Sequence, residues 1–524
     1  MRGILTALGK LNWGKRAYTL FVLCAASAIA LPAQTFTTLH SFDGTDGASP
    51  FAGLVQATDG NLYGTTGGGG VYNFGTVFTI TPNGTLTTLY SFCSQGGCTD
   101  GAYPYAGLVQ ATDGNLYGTT YSGGVDNCGG GCGTVFKITP SGTLTTLYSL
   151  CSLGEPCTDG AFPYAGLVQA TDRNFYGTTT GIDTGSAGTI FEITPSGTLT
   201  TLYSFCLQGG CPDGRDPFAA LVQATDGNLY GTTTGPYWGT VFKITLSGTL
   251  TTLYSFGGTD GAVPVGALVQ TTDGNLYGTT SSGGVNNFGT VFKITLSGTL
   301  TTLYSFGGTD GAAPYAGLVQ ATDGNLYGTT LYGGANNFGT VFKITPNGTL
   351  TTLYSFCSQG ACTDGANPYA GLVQATDRNL YGTTGAGGDV NCGGGGGNGC
   401  GTVFSLCLGP AVGLAPGMLN FGPQGLNIPN TPQTVTLTNT GCQPLSITSI
   451  MVTGTNNRDF FESDNCPGNP NTLAPGNHCT MQVVFSPIDT GTLNADVTIT
   501  DNASDSPQMV PLTGIGVGGK VRPK

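Results

Sequence analysis

Leu54-Val-Gln-Ala-Thr-Asp-Gly-Asn-Leu-Tyr-Gly-Thr-Thr66 decides the fold, because near-copies of it begin again at Leu108, Leu167, Leu221, Leu268, Leu318 and Leu372. Each copy reads as two short strands around a tight turn. Leu54 to Thr58 is mostly apolar, Asp59-Gly60-Asn61 is turn-forming, and Leu62 to Thr66 is β-prone again. Outward from it lie a Gly- and Asn-rich loop, then Gly75-Thr-Val-Phe-Thr-Ile-Thr81, a Pro-Asn-Gly turn and Thr85-Leu-Thr-Thr-Leu-Tyr-Ser-Phe92. Four antiparallel strands in about 50 residues is the size of one propeller blade.

The ends of the array complement each other. The last copy stops at Gly401-Thr-Val-Phe-Ser-Leu406 without a fourth strand, while Thr35-Phe-Thr-Thr-Leu-His-Ser-Phe42 is a fourth strand with no unit before it. The expected fold is therefore all-β: a seven-bladed β-propeller over residues 34–408, whose last blade takes residues 35–42 as its outer strand and so leaves no free sheet edge. An open solenoid would need capping units, and none is visible. Within the first turn, Gly60 is replaced by Arg173 and Arg378 in two copies, whereas the Asn at Asn61 and its six equivalents never changes. Asn tolerates positive φ better than Arg, so Asn is expected at the left-handed position.

From Leu408 the texture changes. Val435 to Asn439, Leu445 to Ile450, Met481 to Phe485 and Ala495 to Thr500 alternate with period two, which predicts a β-sandwich of the immunoglobulin-like kind over residues 411–517, with 518–524 as a tail.

The chain has 524 residues, of which 8% are charged, and a net charge of -13, which argues against nucleic acid as a partner, since phosphate binding needs a clustered basic face. At 39% hydrophobic, with Tyr and Phe at fixed places in each repeat, it is not a disordered chain. Arg2, Lys10, Lys15 and Arg16 precede an apolar run from Tyr18 to Ala30 and small residues up to Ala33, which reads as a signal peptide over residues 1–33. The run is short for a bilayer span and no later stretch is longer, so the expectation is an exported monomer, extracellular, at the cell surface or periplasmic, without a transmembrane anchor.

Sixteen cysteines follow Cys24. Where the loop before a unit is short, as in Phe256-Gly-Gly-Thr-Asp-Gly261, it has no cysteine. Longer versions carry a pair: Cys93 with Cys98, Cys151 with Cys157, Cys206 with Cys211 and Cys357 with Cys362. Cys128 with Cys132 and Cys392 with Cys400 do the same in the Gly-rich loop, and Cys466 and Cys479 pair in the sandwich. Cys407 and Cys442 remain by elimination. Zinc is the rival reading, but only His40 and His478 follow the leader, and export favours disulfides, so no metal site is assigned.

Chemistry is hard to find. His40 lies in an outer strand and His478 beside Cys479, which leaves no nucleophile–His pair for a triad. Gly67 to Gly70 and Gly393 to Gly397 lack the Lys-Ser/Thr of a phosphate loop. Carboxylates alone can run glycosidase or lyase chemistry. The favoured function is nonetheless a non-catalytic, exported binding or surface-interaction protein with no required cofactor; a carboxylate-based carbohydrate-active enzyme and a structural spacer are the alternatives. Binding is expected on the long-loop face, with Asp46, Asp100, Asp159, Asp213, Asp260, Asp310 and Asp364, one per unit, and Tyr121, Tyr237 and Tyr332 as candidate ligand-binding residues. Each Asp can also be read as merely shaping an Asp-Gly turn. Calcium suits oxygen-rich sites and a glycan suits aromatic faces; another extracellular protein is the third partner class.

The units GLVQATDGNLYGTT, GTVFKIT and TLTTLYSF resemble the bacterial GloVer tandem repeat over residues 35–408, a family of exported repeat proteins without an established activity. Leu419-Asn-Phe-Gly422, Thr438-Asn-Thr-Gly441, Leu473-Ala-Pro-Gly476, Val484-Phe-Ser-Pro487 and Leu512-Thr-Gly514 are similar to ASH (hydin-like) immunoglobulin-like domains. Some relatives of the repeat family end in a sorting signal; the tail Gly518-Gly-Lys-Val-Arg-Pro-Lys524 has no such hydrophobic anchor.

Overall fold

The computed structural model describes residues 35–125, 129–154, 156–181, 187–389, 391–392, 399–503 and 505–518. The expected signal peptide, Cys128, the whole of the second Gly run Gly393 to Gly397 and the tail beyond Gly518 lie outside them. The described chain is all-β apart from three single-turn 3-10 segments.

Residues 36–406 form seven four-stranded antiparallel sheets. In the first unit the strands are Val55–Gln56, Leu62–Thr66, Thr76–Ile80 and Leu86–Ser91, in that order across the sheet. The innermost strand is shorter than the run Leu54 to Thr58 suggests, since only its central two residues pair. The second strand is wholly buried in every unit and the outer one is half exposed. This is why Leu62 to Thr66 lacks period-two alternation: both its faces meet a neighbouring sheet. Gly64 makes room inside it, for a Cβ there would stand 2.6 Å from the Phe78 ring and 2.7 Å from Leu54.

The apolar core lies between sheets. Tyr63, Val77 and Phe92 of the first unit pack with Leu108, Leu116 and Phe136 of the second. Phe42, Leu62 and Phe78 pack in the same way with Tyr381 and Val403 of the seventh. Each unit also reaches its successor through the Gln of the innermost strand: the Thr58 N–H donates to Gln110 Oε1 at 2.9 Å, the same bond recurs down the array, and the Thr376 N–H donates to Gln56 Oε1 at 2.8 Å. The series thus returns to its start. Phe36–Ser41 pairs with Thr402–Leu406 and supplies the seventh sheet's outer strand, with the Phe36 ring stacked at 3.8 Å on Tyr354. The arrangement is propeller-like.

The first turn corrects the expectation for Asn. The left-handed residue is Gly60 (φ 84°), replaced by Arg173 (φ 72°) and Arg378 (φ 64°). Asn61 instead closes an Asx-type turn: its N–H and side-chain amide both donate to the Asp59 carboxylate, at 3.0 Å each. A left-handed arginine costs roughly 1–2 kcal/mol. Arg378 is held there by Asp505 (3.2 Å) and by the Val412 carbonyl (3.0 Å), so this break in the repeat marks where the C-terminal part docks.

That part holds two four-stranded sheets on one core that includes Val435, Leu437, Phe460, Met481, Phe485 and Val497. One contains Val412–Ala415, Gln433–Asn439, His478–Phe485 and Phe460–Asp464; the other Leu419–Gly425, Gln508–Val517, Gly491–Asp501 and Ile447–Thr453. Leu419–Gly425 pairs in parallel with Gln508–Val517. Disulfides join Cys93–Cys98, Cys151–Cys157, Cys206–Cys211, Cys357–Cys362, Cys392–Cys400, Cys407–Cys442 and Cys466–Cys479. Cys132 is disulfide-bonded too, and its expected partner Cys128 lies outside the described residues. Cys407–Cys442 ties the repeat array to the C-terminal sheets. Such a number of disulfides points to an oxidising, extracellular type of environment. Among the described residues no helix is long and apolar enough to cross a membrane.

Candidate functional site

The loop that enters each unit reads Gly-x-x-Pro-x, as in Gly47-Ala-Ser-Pro-Phe51. The residue before the Pro is left-handed in every unit although it is never Gly: Ser49 (φ 54°), Tyr103 (φ 56°), Phe162 (φ 58°), Asp216 (φ 55°), Val263 (φ 55°), Ala313 (φ 52°) and Asn367 (φ 55°). For β-branched Val263 this is a strained position. A bond from the previous unit holds it: the Tyr103 N–H donates to the Phe74 carbonyl, the Val263 N–H to Trp238 and, across the ends of the array, the Ser49 N–H to Cys400, each at 2.8 Å. The Pro then lies against the Gly that opens the previous unit's third strand; a Cβ on Gly75 would come within 2.6 Å of Pro104.

This clamp fixes the next residue, which is Phe51, Tyr105, Tyr164, Phe218, Val265, Tyr315 or Tyr369. All seven line one cavity of about 580 Å³, joined among the described residues by Thr234 and Val263. Among these described residues no lining side chain carries a charge at neutral pH. Ring centroids follow one another at 5.8 Å (Tyr315–Tyr369), 4.9 Å (Tyr369–Phe51), 5.9 Å (Phe51–Tyr105), 5.4 Å (Tyr105–Tyr164) and 5.1 Å (Tyr164–Phe218). The circle is open at Val265. Burial and neighbouring tyrosines push the Tyr105, Tyr164 and Tyr369 phenols above their ordinary range, so they remain neutral donors.

The candidate aspartates do not converge on this cavity; each closes its own loop. Asp100 Oδ2 accepts from the Tyr90 hydroxyl and the Ser94 N–H, both at 2.8 Å. Asp364 accepts likewise from Tyr354 (2.7 Å) and Ser358 (2.8 Å), and Asp159 from Tyr148 (3.0 Å) and Ser152 (2.9 Å). Asp213 takes Tyr203 and the Cys206 N–H, both at 2.9 Å. In the short loops, Asp260 takes Tyr254 (2.5 Å) and the Gly257 N–H (2.8 Å), and Asp310 takes Tyr304 (2.5 Å) and the Gly307 N–H (2.8 Å). Asp46 is paired at 2.7 Å with His40, which stands where the other units have Tyr. The Tyr254 pKa is pushed up to about 12, by the Asp260 bond first and then by burial. Among the described residues, the group of ligand-type atoms within 4.8 Å of one another is Cys132, Cys151 and Cys157, and these are disulfide-bonded.

Of the candidate tyrosines, Tyr121 packs behind the circle against Tyr164 (4.9 Å) and Phe162 (5.1 Å). Tyr332 is 46% exposed, and Tyr237 is 88% exposed in the Gly235-Pro-Tyr-Trp238 loop beside Val263. The seven cavity positions were not among the candidates. Their signal was present, however, as an aromatic after the Pro in six units of seven.

The Gloeobacter/Verrucomicrobia repeat matches residues 25–236 and 210–404. The chain belongs to this repeat family. Solved structures similar to this member of the family include a candidate 6-phosphogluconolactonase from Bacteroides uniformis, 17% identical over 59% of this chain and 84% of that one, with a TM-score of 0.40. A Lactobacillus plantarum protein is 18% identical over 64% and 90%, with a TM-score of 0.39. The ASH/PapD-like domain 7 of human CEP192 is 13% identical over 21% of this chain and 87% of its own length, with a TM-score of 0.15. Curated proteins include no match to this repeat-family chain.

Proposed function

We propose that this is an exported, non-catalytic binding protein: a seven-bladed β-propeller closed by its N-terminal strand, followed by an immunoglobulin-like sandwich, which binds through the cavity on its long-loop face. The cavity carries this reading. Six aromatic side chains from one repeat position surround a single space, and unit five shows with Val265 that the fold does not require an aromatic there. Tyr164 (39%) and Tyr315 (38%) are left partly exposed, although burying such rings would stabilise the fold. The loop aspartates each accept hydrogen bonds from a Tyr or His and from the backbone of their own loop, and none of them lines the cavity.

Hydrogen exchange of the intact protein, measured with calcium and with glycan arrays beside turnover assays on polysaccharides, tests the reading. Saturable protection of the Gly-x-x-Pro-x loops without turnover is expected. Turnover that disappears when one loop Asp is replaced would establish the enzyme instead.

A further inference from the structure

The circle of aromatics is broken at one place, and the chain departs from its repeat there in more than one way. Val265 replaces the aromatic, and Val263 carries the strained backbone before the Pro. The carbonyl that holds Val263 belongs to Trp238, at the end of Gly235-Pro-Tyr-Trp238. Trp238 is 49% exposed, and beside it a second cavity of about 260 Å³ is lined by Pro236 and Tyr237. At this opening one backbone hydrogen bond thus separates Val263, which lines the aromatic cavity, from an exposed aromatic shelf, the pair Tyr237 and Trp238.

We propose that this opening admits a neutral oligosaccharide, one sugar ring seated in the cavity and the next units lying over Tyr237 and Trp238. The proposal rests on the binding reading given above. Three observations select the ligand class. The described lining carries no charged side chain, so no ion pair awaits an anionic group, and tetramethylammonium tests the attraction that its ring faces would offer a cation. The Thr234 hydroxyl already donates to the Asp216 carbonyl at 3.2 Å, but the hydroxyls of Tyr105, Tyr164, Tyr315 and Tyr369 would be cut off from water by a wholly apolar guest, at a desolvation cost. A pyranose offers both an apolar C–H face for the rings and hydroxyls for the phenols. The volume lies within the range of about 300–1,000 Å³ usual for small-ligand sites.

Trp13 and Trp238 are the only tryptophans, so in a Trp13→Phe background the emission of Trp238 reports on the shelf. The full chain is titrated with cellohexaose, maltohexaose, mannohexaose and xylohexaose, and with tetramethylammonium and a galacturonate hexamer as charged probes. Saturable change with a neutral hexasaccharide is expected, weakened at least about tenfold by Val265→Tyr, which closes the circle, and by Tyr315→Val. Both substitutions install residues that other units already carry at this position, so folding is retained. Val71→Ser, on a remote exposed loop, should leave binding unchanged. No response to any neutral hexasaccharide overturns the proposal. A response to a charged probe alone that Val265→Tyr abolishes overturns the sugar but keeps the cavity as the site. Sugar binding indifferent to both cavity substitutions overturns the cavity itself, and the preceding reading with it.

Discussion

The two ends of the seven sheets are made from the same repeats but differ in how strictly they repeat. At the short-turn end the Gln of the innermost strand, the Thr that it meets and the Asp and Asn of the turn are the same in all seven units, and so is the tyrosine that donates to the turn Asp. At the long-loop end a Tyr–Asp bond also closes each loop, but once with His40, and loop length, disulfides and the residue after the Pro all vary. Short-turn residues bond both within their unit and to the next, so a change at one position disturbs two units. A long-loop residue beyond the Pro clamp lines the shared cavity and makes side-chain contacts with a few neighbours, as Tyr164 does with Tyr121, and the change from aromatic to Val265 shows that substitution is tolerated there.

The largest test removes the piece on which both ends depend. Deleting residues 35–42 strips the seventh sheet of its outer strand and removes fully buried Phe42, whose loss alone costs about 3–5 kcal/mol. The expected outcome is loss of solubility or of a single cooperative transition in thermal melts; a truncated chain that melts like the full one would break the ring argument.

Alkali should act on both ends together. Burial, then the bond to Asp273, pushes the Tyr277 pKa up to about 12, and Tyr254 at the loop end reaches about 12 through the Asp260 bond and then burial. A tyrosine raised above its unfolded value of about 10 stabilises the fold fully below that pH and loses the contribution as pH rises through about 12. Urea midpoints should therefore fall between pH 10 and 12, and less steeply in Tyr277→Phe. On the acid side, burial opposes the charged form of Asp59 and Asp226. The hydrogen bonds from Tyr and Asn outweigh it, so both lie below the ordinary value and their contribution, present above about pH 4, is lost on further acidification.

The Gln belt distinguishes a closed array from an open one. Gln56→Ala at the junction of the ends and Gln270→Ala in the middle should each cost about 1 kcal/mol by denaturant titration. A much smaller cost at Gln56 would mean that the ends do not meet in solution.

The smallest effects separate the two left-handed arginines. Arg173→Gly should stabilise by about 1 kcal/mol, because it relieves the backbone without losing a partner comparable to that of Arg378. Arg378→Gly relieves the same strain but loses Asp505 and the Val412 carbonyl, and faster proteolysis around residues 408–411 should reveal a loosened C-terminal part.

Repetition made much of this molecule readable from its residues. Seven near-copies act as seven trials of one local problem, so the four strands, the turn between the first two and the loops that lengthen only with a cysteine pair could be read by comparing the chain with itself. The spare strand at residues 35–42 was legible because a unit without its fourth strand stood at the other end. For the left-handed position the residues pointed to Asn61, which tolerates such backbone and stays the same where Gly60 gives way to Arg; the folded turn, in which Asp59 binds Asn61, places Gly60 there instead. The strained residues before the Pro carry no glycine signal, since a hydrogen bond from the preceding unit stabilises them. The cavity too was decided by tertiary structure. Phe51 and Tyr369 are far apart in the chain and meet only when the last sheet returns to the first, because a local pattern specifies the strand while the cavity is lined by residues of all seven units at once.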